Sequence, residues 1–381
     1  MRVGIDASNL RTGGGVTHLA ELLKAAEPRE AGITRITVWG GAWTLDQLPV
    51  APWLTCVHEP ALDAPLPRRQ WWQRFELQAL AAPSCDILFS PGGAYAGAFR
   101  PFVTMSRNLL PFQAEERRRY GASWMHLKLM LLRRAQAATL RRADGVIFLN
   151  DYAQRCVTAT TGPLSGLVQV IPHGVDDAFR CAPRSARAIE TYSAVDPFRV
   201  LYVSTVDAYK HQWHVVDAVS RLRHAGLPVT LRLIGSAQPT SLRRLRAMMA
   251  LVDPAGDIVT YEGGVPHAEL PAAYRAADAF VFASSCENMP NILLEAMSAG
   301  LPTACARRGP MPGMLGDAGV YFDPEQPDDI AGALRTLIID PSRRLALATD
   351  AARRAAHFSW QRCASQTLTF LGAVVARSKT A

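Results

Sequence analysis

The chain has 381 residues, 49% hydrophobic and 19% charged, which is too long for one typical core and too apolar for a disordered protein, so two globular domains are expected. Its net charge of +8 admits phosphorylated ligands, an anionic membrane surface or nucleic acid as partners and selects none of them. There is no RNA-binding signature, no zinc-finger spacing and no apolar run long enough to span a bilayer.

The chain opens Met1-Arg2-Val3-Gly4-Ile5-Asp6, which reads as a first strand over 2–6 and not as a signal peptide. Short apolar runs recur at 35–39, 86–90, 102–105, 145–149 and 167–171. A second series lies at 199–204, 229–234, 258–261, 279–283, 303–305 and 320–322. Amphipathic stretches between them predict helices, among them 17–26, 124–142, 211–224 and 242–251. Strand–helix alternation of this kind predicts parallel sheets with helices on both faces. Residues 176–197 carry Arg180, Arg184, Arg187, two prolines and no apolar period, and a fresh strand starts at Phe198. They read as a linker between two doubly wound halves, with the ligand cleft expected between the halves. The tail from 358 onward reads as a helix packing back toward the first domain. The expected division is therefore 1–180, 198–357 and 358–381.

The first strand leads into Thr12-Gly13-Gly14-Gly15-Val16. The glycines permit close approach of backbone to a ligand, and a helix just beyond them would turn its N–H groups toward a phosphate. The dinucleotide fingerprint GxGxxG is not met, because His18 stands where its third glycine would be; a tight turn accounts for the triple glycine equally well. Lys210 follows the strand at 199–204 and precedes a helix, where an ammonium could sit over a diphosphate. The richest segment runs from Ser284 to Pro302. It contains Glu287-Asn288-Met289-Pro290-Asn291-Ile292 and then Glu295-Ala296-Met297, with Gly300 and Pro302 beyond. Asn291 is expected to cap a short helix that Gly300 ends, so two carboxylates bracket a helix N-terminus able to attract an anion. No Asp-x-Asp or histidine cluster suggests a metal. Seven scattered cysteines without a CxxC pair suggest reduced thiols in a cytosol.

At these residues the sequence resembles the retaining nucleotide-sugar glycosyltransferases of the two-Rossmann-domain (GT-B) type, family 4, over nearly its whole length. Ile171-Pro172-His173-Gly174-Val175-Asp176 is similar to the family's segment closing the N-terminal half. Bacterial surface-polysaccharide enzymes, including mannosyltransferases, look closest. The resemblance implies an α/β fold of two Rossmann-like doubly wound domains facing a cleft, the first binding the acceptor and the second the nucleotide sugar. It implies that Glu295 binds the donor ribose and that Glu287 holds the donor sugar. Lys210 would neutralise the leaving diphosphate, and the backbone of Asn288, Met289, Pro290, Asn291 and Ile292 would receive sugar and diphosphate. Gly15 would bring an N–H to the same phosphates, and Gly263 and Val265 would lie by the base. No metal or other cofactor is implied. Two places depart from the family: Thr205 stands where an arginine is common, and Arg107-Asn108 where His-Asp is common; Arg107 and Asn108 are the acceptor-side candidates.

Residues 115–142 hold eight Lys or Arg against two Glu, with Trp124, Met125, Leu127, Leu129, Met130, Leu131 and Leu132 as an apolar side. Such a helix either rests on an anionic membrane or packs on the sheet with a solvated basic face. The expected activity is transfer of a sugar, mannose from GDP-mannose by preference, to a glycan or polyprenyl-linked hydroxyl in bacterial polysaccharide or lipopolysaccharide synthesis. The expected setting is the cytoplasm or the inner face of its membrane, without nucleic acid. The competing readings are a non-catalytic nucleotide-sugar-binding or assembly protein, and another enzyme on the same fold, such as a nucleotide-sugar epimerase.

Overall fold

The structure is a computed structural model that describes residues 1–381 apart from Thr12, Ala186 and Ala381. It contains two compact units: Met1–Gly174 together with Ser359–Ala381, and Val175–Phe358.

The first unit is built on seven strands, β1 (Arg2–Asp6), β2 (Arg35–Gly40), β3 (Leu54–His58), β4 (Ile87–Ser90), β5 (Phe102–Met105), β6 (Gly145–Phe148) and β7 (Leu167–Val170). They lie in the order β3-β2-β1-β4-β5-β6-β7, all parallel. β4, β5 and β6 are buried at every position, which explains why they read as unbroken apolar runs. β3 escapes the sequence reading for the opposite reason. It is an edge strand whose Thr55, Cys56 and His58 are exposed, so it carries no apolar signature. The sheet grows outward from β1 to β3 and then resumes at β4 on the other side of β1. That reversal is the switch point at which open α/β sheets bind ligands, at the carboxyl ends of the strands. The last helix, Trp360–Thr380, buries Leu368, Phe370, Leu371, Val374 and Val375 within this unit.

The second unit repeats the plan with β8 (Phe198–Val203), β9 (Val229–Ile234), β10 (Val259–Tyr261), β11 (Ala279–Phe282), β12 (Thr303–Ala306) and β13 (Gly319–Phe322). The order is β10-β9-β8-β11-β12-β13, again parallel throughout. Here the reversal falls between β8 and β11. Residues 176–197, read from sequence as a linker, are fastened to this unit through polar contacts that leave no periodic trace. The Cys181 N–H donates to Ser298 O at 2.9 Å, Arg184 donates to Ala277 O, and Arg344 donates to Arg187 O. Ala186 of this stretch lies outside the described residues.

Candidate functional site

At the switch point of the second unit, β8 and β11 run side by side into two loops that the sequence marks for chemistry. The loops are laced together. The Ser285 N–H donates to Tyr209 O at 2.8 Å, His211 Nε2 lies 3.0 Å from Ser285 Oγ, and the Tyr202 hydroxyl donates to Lys210 O at 2.6 Å. This lacing holds Lys210 at the end of a short turn, Ala208–Lys210. Lysines in loops are ordinarily solvated, but this one is only 6% exposed. Its ammonium forms an ion pair with Glu287 and lies 5.1 and 5.3 Å from the ring centres of Tyr209 and Phe282. Aromatic faces favour a cation there, and the carboxylate offsets the cost of enclosing it. Burial, reinforced by the Glu287 charge, pushes the Tyr202 phenol and the Cys305 thiol well up. Both stay neutral beside the pair.

The second carboxylate sits on the helix Asn291–Ser298. Pro290 occupies the capping position and Asn291 is the first helical residue, so the expected Asn291 cap is corrected: no side chain caps this helix. Proline is suited to a helix entrance because it has no N–H to leave unsatisfied. The helix stops where expected, with Gly300 just beyond it at φ 64°, a conformation that favours glycine. Glu295 is 5% exposed. The Tyr274 hydroxyl lies 2.9 Å from its Oε2 and His267 Nε2 lies 3.4 Å from its Oε1. Burial and the adjacent Glu295 raise the Tyr274 phenol well above its usual range, which keeps it a donor. Neither Tyr274 nor His267 was singled out from sequence. His267 follows Val265 by two residues, a usable signal; Tyr274, in a helix beside buried Leu270 and Ala273, reads as core.

Around these groups, Asn288, Met289 and Pro290 are buried and Ile292 is half-buried. Gly263 and Val265 follow β10, where the Gly235 N–H donates to Gly263 O at 2.7 Å. Thr205, where an arginine was expected, puts its hydroxyl 3.3 Å from that of Ser236. The second unit therefore places Lys210 after β8, and Glu287, the 288–292 backbone and Glu295 in the loop and helix that follow the adjacent strand β11.

The first unit carries the other candidates. Its first helix spans Gly14–Lys24 and starts three residues earlier than the sequence suggested, so Gly14 and Gly15 form its opening turn behind Gly13. Thr12 of the same motif lies outside the described residues. A methyl group on Gly15 would come within 3.0 Å of Arg107 Nη1 and 3.1 Å of Leu10 Cδ2, so close packing and not a turn accounts for this glycine. Arg107 donates to Gly14 O. Its Nε and Nη1 are buried with no hydrogen-bond partner among the described residues, and burial lowers its guanidinium to about 10. Asn108 is exposed and its Oδ1 accepts the Leu110 N–H at 3.0 Å. Behind Arg107 lie His18 and His173, their Nδ1 atoms 2.6 Å apart. Burial, together with the Arg107 charge, holds His173 at about 3. His18 is held well below its usual value by burial, then by His173 and Arg107. Both rings are neutral.

Elsewhere in this unit the tryptophans divide. Trp72 is fully buried, whereas Trp71 and Phe75 are each 58% exposed with ring centres 4.4 Å apart. In the helix Trp124–Arg142, Trp124, Leu127, Met130 and Leu131 face solvent, and the buried face is Leu129, Gln136, Ala137, Thr139 and Leu140. Packing of the whole apolar side on the sheet is thereby corrected. Among the described residues no helix is long and apolar enough to cross a membrane.

Residues 197–340 match the family described as Glycosyl transferases group 1. The chain is 40% identical over 111 residues to the O-antigen chain mannosyltransferase B of Escherichia coli, covering 29% of each chain. It is 29% identical over 249 residues to the D-inositol 3-phosphate glycosyltransferase of Paenarthrobacter aurescens, covering 60% of this chain and 59% of that one. The chain thus spans less than two thirds of the curated relatives it matches. The structure of sucrose-phosphate synthase from Thermosynechococcus elongatus superposes with a TM-score of 0.77, at 19% identity, over 100% of this chain and 99% of that one. That likeness establishes a shared fold, the GT-B fold, and residues 197–340 carry the match to a group 1 glycosyltransferase domain.

Proposed function

We propose that this chain, with its group 1 glycosyltransferase domain, is a retaining family 4 glycosyltransferase. It moves a hexose from a nucleoside diphosphate sugar to a hydroxyl of a glycan or polyprenyl-linked acceptor in bacterial polysaccharide or lipopolysaccharide synthesis. The observation that carries this reading is the buried Lys210–Glu287 pair at the switch point of the second unit. A paired ammonium and carboxylate enclosed beside a helix entrance suit a ligand that is anionic at one end and rich in hydroxyls at the other.

In this reading the diphosphate replaces Glu287 as the counter-charge of Lys210, and Glu287 turns to the hydroxyls of the donor sugar. Glu295, oriented by Tyr274 and His267, takes the ribose hydroxyls. Gly263 and Val265 border the base, and the 288–292 backbone receives sugar and diphosphate. In the first unit, the Gly15 amide is the candidate phosphate donor, and Arg107 and Asn108 serve the acceptor side. The bond from the anomeric carbon to the diphosphate oxygen breaks through an oxocarbenium-like state, and the acceptor oxygen bonds to that carbon on the same face. Its proton passes to the departing phosphate. The main catalytic contribution is electrostatic, from Lys210 and backbone amides on the leaving diphosphate, so no nucleophilic carboxylate pair of the glycosidase kind is needed. No metal has a role in this scheme.

Likeness to the O-antigen mannosyltransferase favours mannose, and with it GDP-mannose. The test is acceptor-dependent release of nucleoside diphosphate from GDP-mannose and UDP-glucose, with a lipid-linked glycan as acceptor. Release with one donor, strongly slowed in Lys210→Ala, is expected. Donor binding with no release in any combination would favour the non-catalytic reading.

The exposed Trp124, Leu127 and Leu131, on a helix that also carries Lys128, Arg133 and Arg134, favour a further element of the reading. This face rests on an anionic membrane, apolar side chains at the acyl boundary and cations at the headgroups. The protein then works in the cytoplasm at the inner face of its membrane.

A further inference from the structure

Ligands of a parallel sheet bind at the carboxyl ends of its strands, yet the second unit has a polar cavity at the opposite ends. It holds about 340 Å³, within the size range of small-molecule sites. Arg199 is the second residue of β8, Asp278 directly precedes β11, and Pro302 directly precedes β12. The cavity is therefore separated from Lys210 and Glu287 by the length of the strands, and it is independent of the sugar-nucleotide reading.

Its walls carry Arg184, Arg187, Arg199 and Arg344, with Tyr192 and Asp278. Arg187 and Arg199 share a single carboxylate, Asp196, at 2.9 and 2.7 Å. The Asp278 carboxylate accepts the Tyr192 hydroxyl at 3.2 Å and the Arg199 N–H at 2.9 Å. Arg344 is 4% exposed and donates to the carbonyls of Leu337 and Ile338 at 2.7 and 2.9 Å, and to that of Arg187. Neither Arg344 nor Arg184 forms an ion pair among the described residues. Four guanidinium groups against the carboxylates of Asp278 and Asp196 leave a surplus of two positive charges. Capping the helix Pro327–Ile339 accounts for the Arg344 position; it does not account for three more arginines converging on one cavity. Planar guanidinium groups bind phosphate bidentately and tolerate burial better than ammonium.

We propose that this cavity is a second, non-catalytic anion site that takes a phosphate dianion, free or as a monoester. The guanidinium groups meet the phosphate oxygens, and Leu301, Pro302 and Leu345 form an apolar rim for the esterified group. The ligand is either free phosphate or a small phosphorylated metabolite.

The test is calorimetric titration of the full chain with inorganic phosphate and with a hexose monophosphate, at constant ionic strength, in three proteins. They are wild type, the double variant Arg184→Gln with Arg199→Gln, and Lys210→Ala. Both substituted arginines of the double variant are exposed, and an unchanged melting temperature without added ligand checks that the fold is kept. Saturable binding is expected in wild type and in Lys210→Ala, weakened by about tenfold or more in the double variant as charge-assisted hydrogen bonds are lost. Tighter binding of the hexose phosphate identifies an ester as the ligand; equal binding identifies phosphate itself. Wild-type affinity in the double variant, loss of binding in Lys210→Ala alone, or no binding to wild type at millimolar ligand would overturn the proposal.

Discussion

Lys210 and Glu287 form an ion pair, and in the proposed function each takes a new partner on the donor. In the proposed mechanism Lys210→Ala removes the cation opposite the departing diphosphate, so kcat should fall by roughly 2–4 kcal/mol in barrier terms, measured by steady-state release of nucleoside diphosphate. Tyr274→Phe leaves the Glu295 carboxylate in place but removes one of its hydrogen bonds. Donor affinity should weaken by about 1 kcal/mol with kcat little changed, a split that separates positioning from catalysis.

His18 and His173 add a pH dependence of different origin. Their folded values lie below the ordinary 6.5, so the unfolded chain binds more protons than the folded one below 6.5, down to about 3 for His173. Stability is therefore full above 6.5 and is lost as pH falls, by up to about 1.4 kcal/mol per pH unit for each ring. Urea unfolding at pH 7.5 and 5.5 should show it, and His173→Asn should flatten the dependence. Glu287, Glu295 and Lys210 were legible in the sequence because the segments around them resemble a family, not because of their spacing alone. Tyr274 was not, because a tyrosine among core residues looks the same whether its hydroxyl meets a carboxylate or a carbonyl. The burial of Arg107 beneath the glycine turn is a tertiary fact with no local trace.

The helix Trp360–Thr380 completes the core of a unit whose other residues end at Gly174. Burying Leu368, Phe370, Leu371, Val374 and Val375 is worth roughly 8–15 kcal/mol at 1.5–3 kcal/mol per side chain, comparable to the whole stability of a domain. Truncation after Phe358 should therefore unfold the first unit, seen as loss of one calorimetric transition. The helix Trp124–Arg142 makes a different forecast. Trp124→Ala with Leu127→Ala alters exposed groups only. The pair should reduce salt-sensitive flotation with anionic vesicles and leave the melting temperature unchanged; equal flotation would remove the membrane from the account. The extent of this helix was readable from its composition, but its buried face was not, since leucines and methionines occur on both sides. β3 was missed for the converse reason, an edge strand with too few apolar residues to announce itself.

Both sheets reverse strand order at an interior strand, β1 in the first and β8 in the second, and in each a marked residue, Gly15 or Lys210, follows that strand. The duplicated plan was legible because buried parallel strands read as apolar runs. The role of residues 176–197 was not, because carbonyl–guanidinium contacts leave no period. The family match at 197–340 falls within the second unit. The central claim is thus that this unit binds a nucleoside diphosphate sugar through Glu295 and Lys210. Its most direct test is a thermal-shift panel of GDP, UDP, dTDP and ADP with their sugars, on wild type and Glu295→Ala. A ligand that binds only the folded state raises the melting temperature. The account predicts a clear rise with one base, GDP by preference, and its loss in Glu295→Ala. No rise with any nucleotide, or an equal rise in the variant, would contradict it.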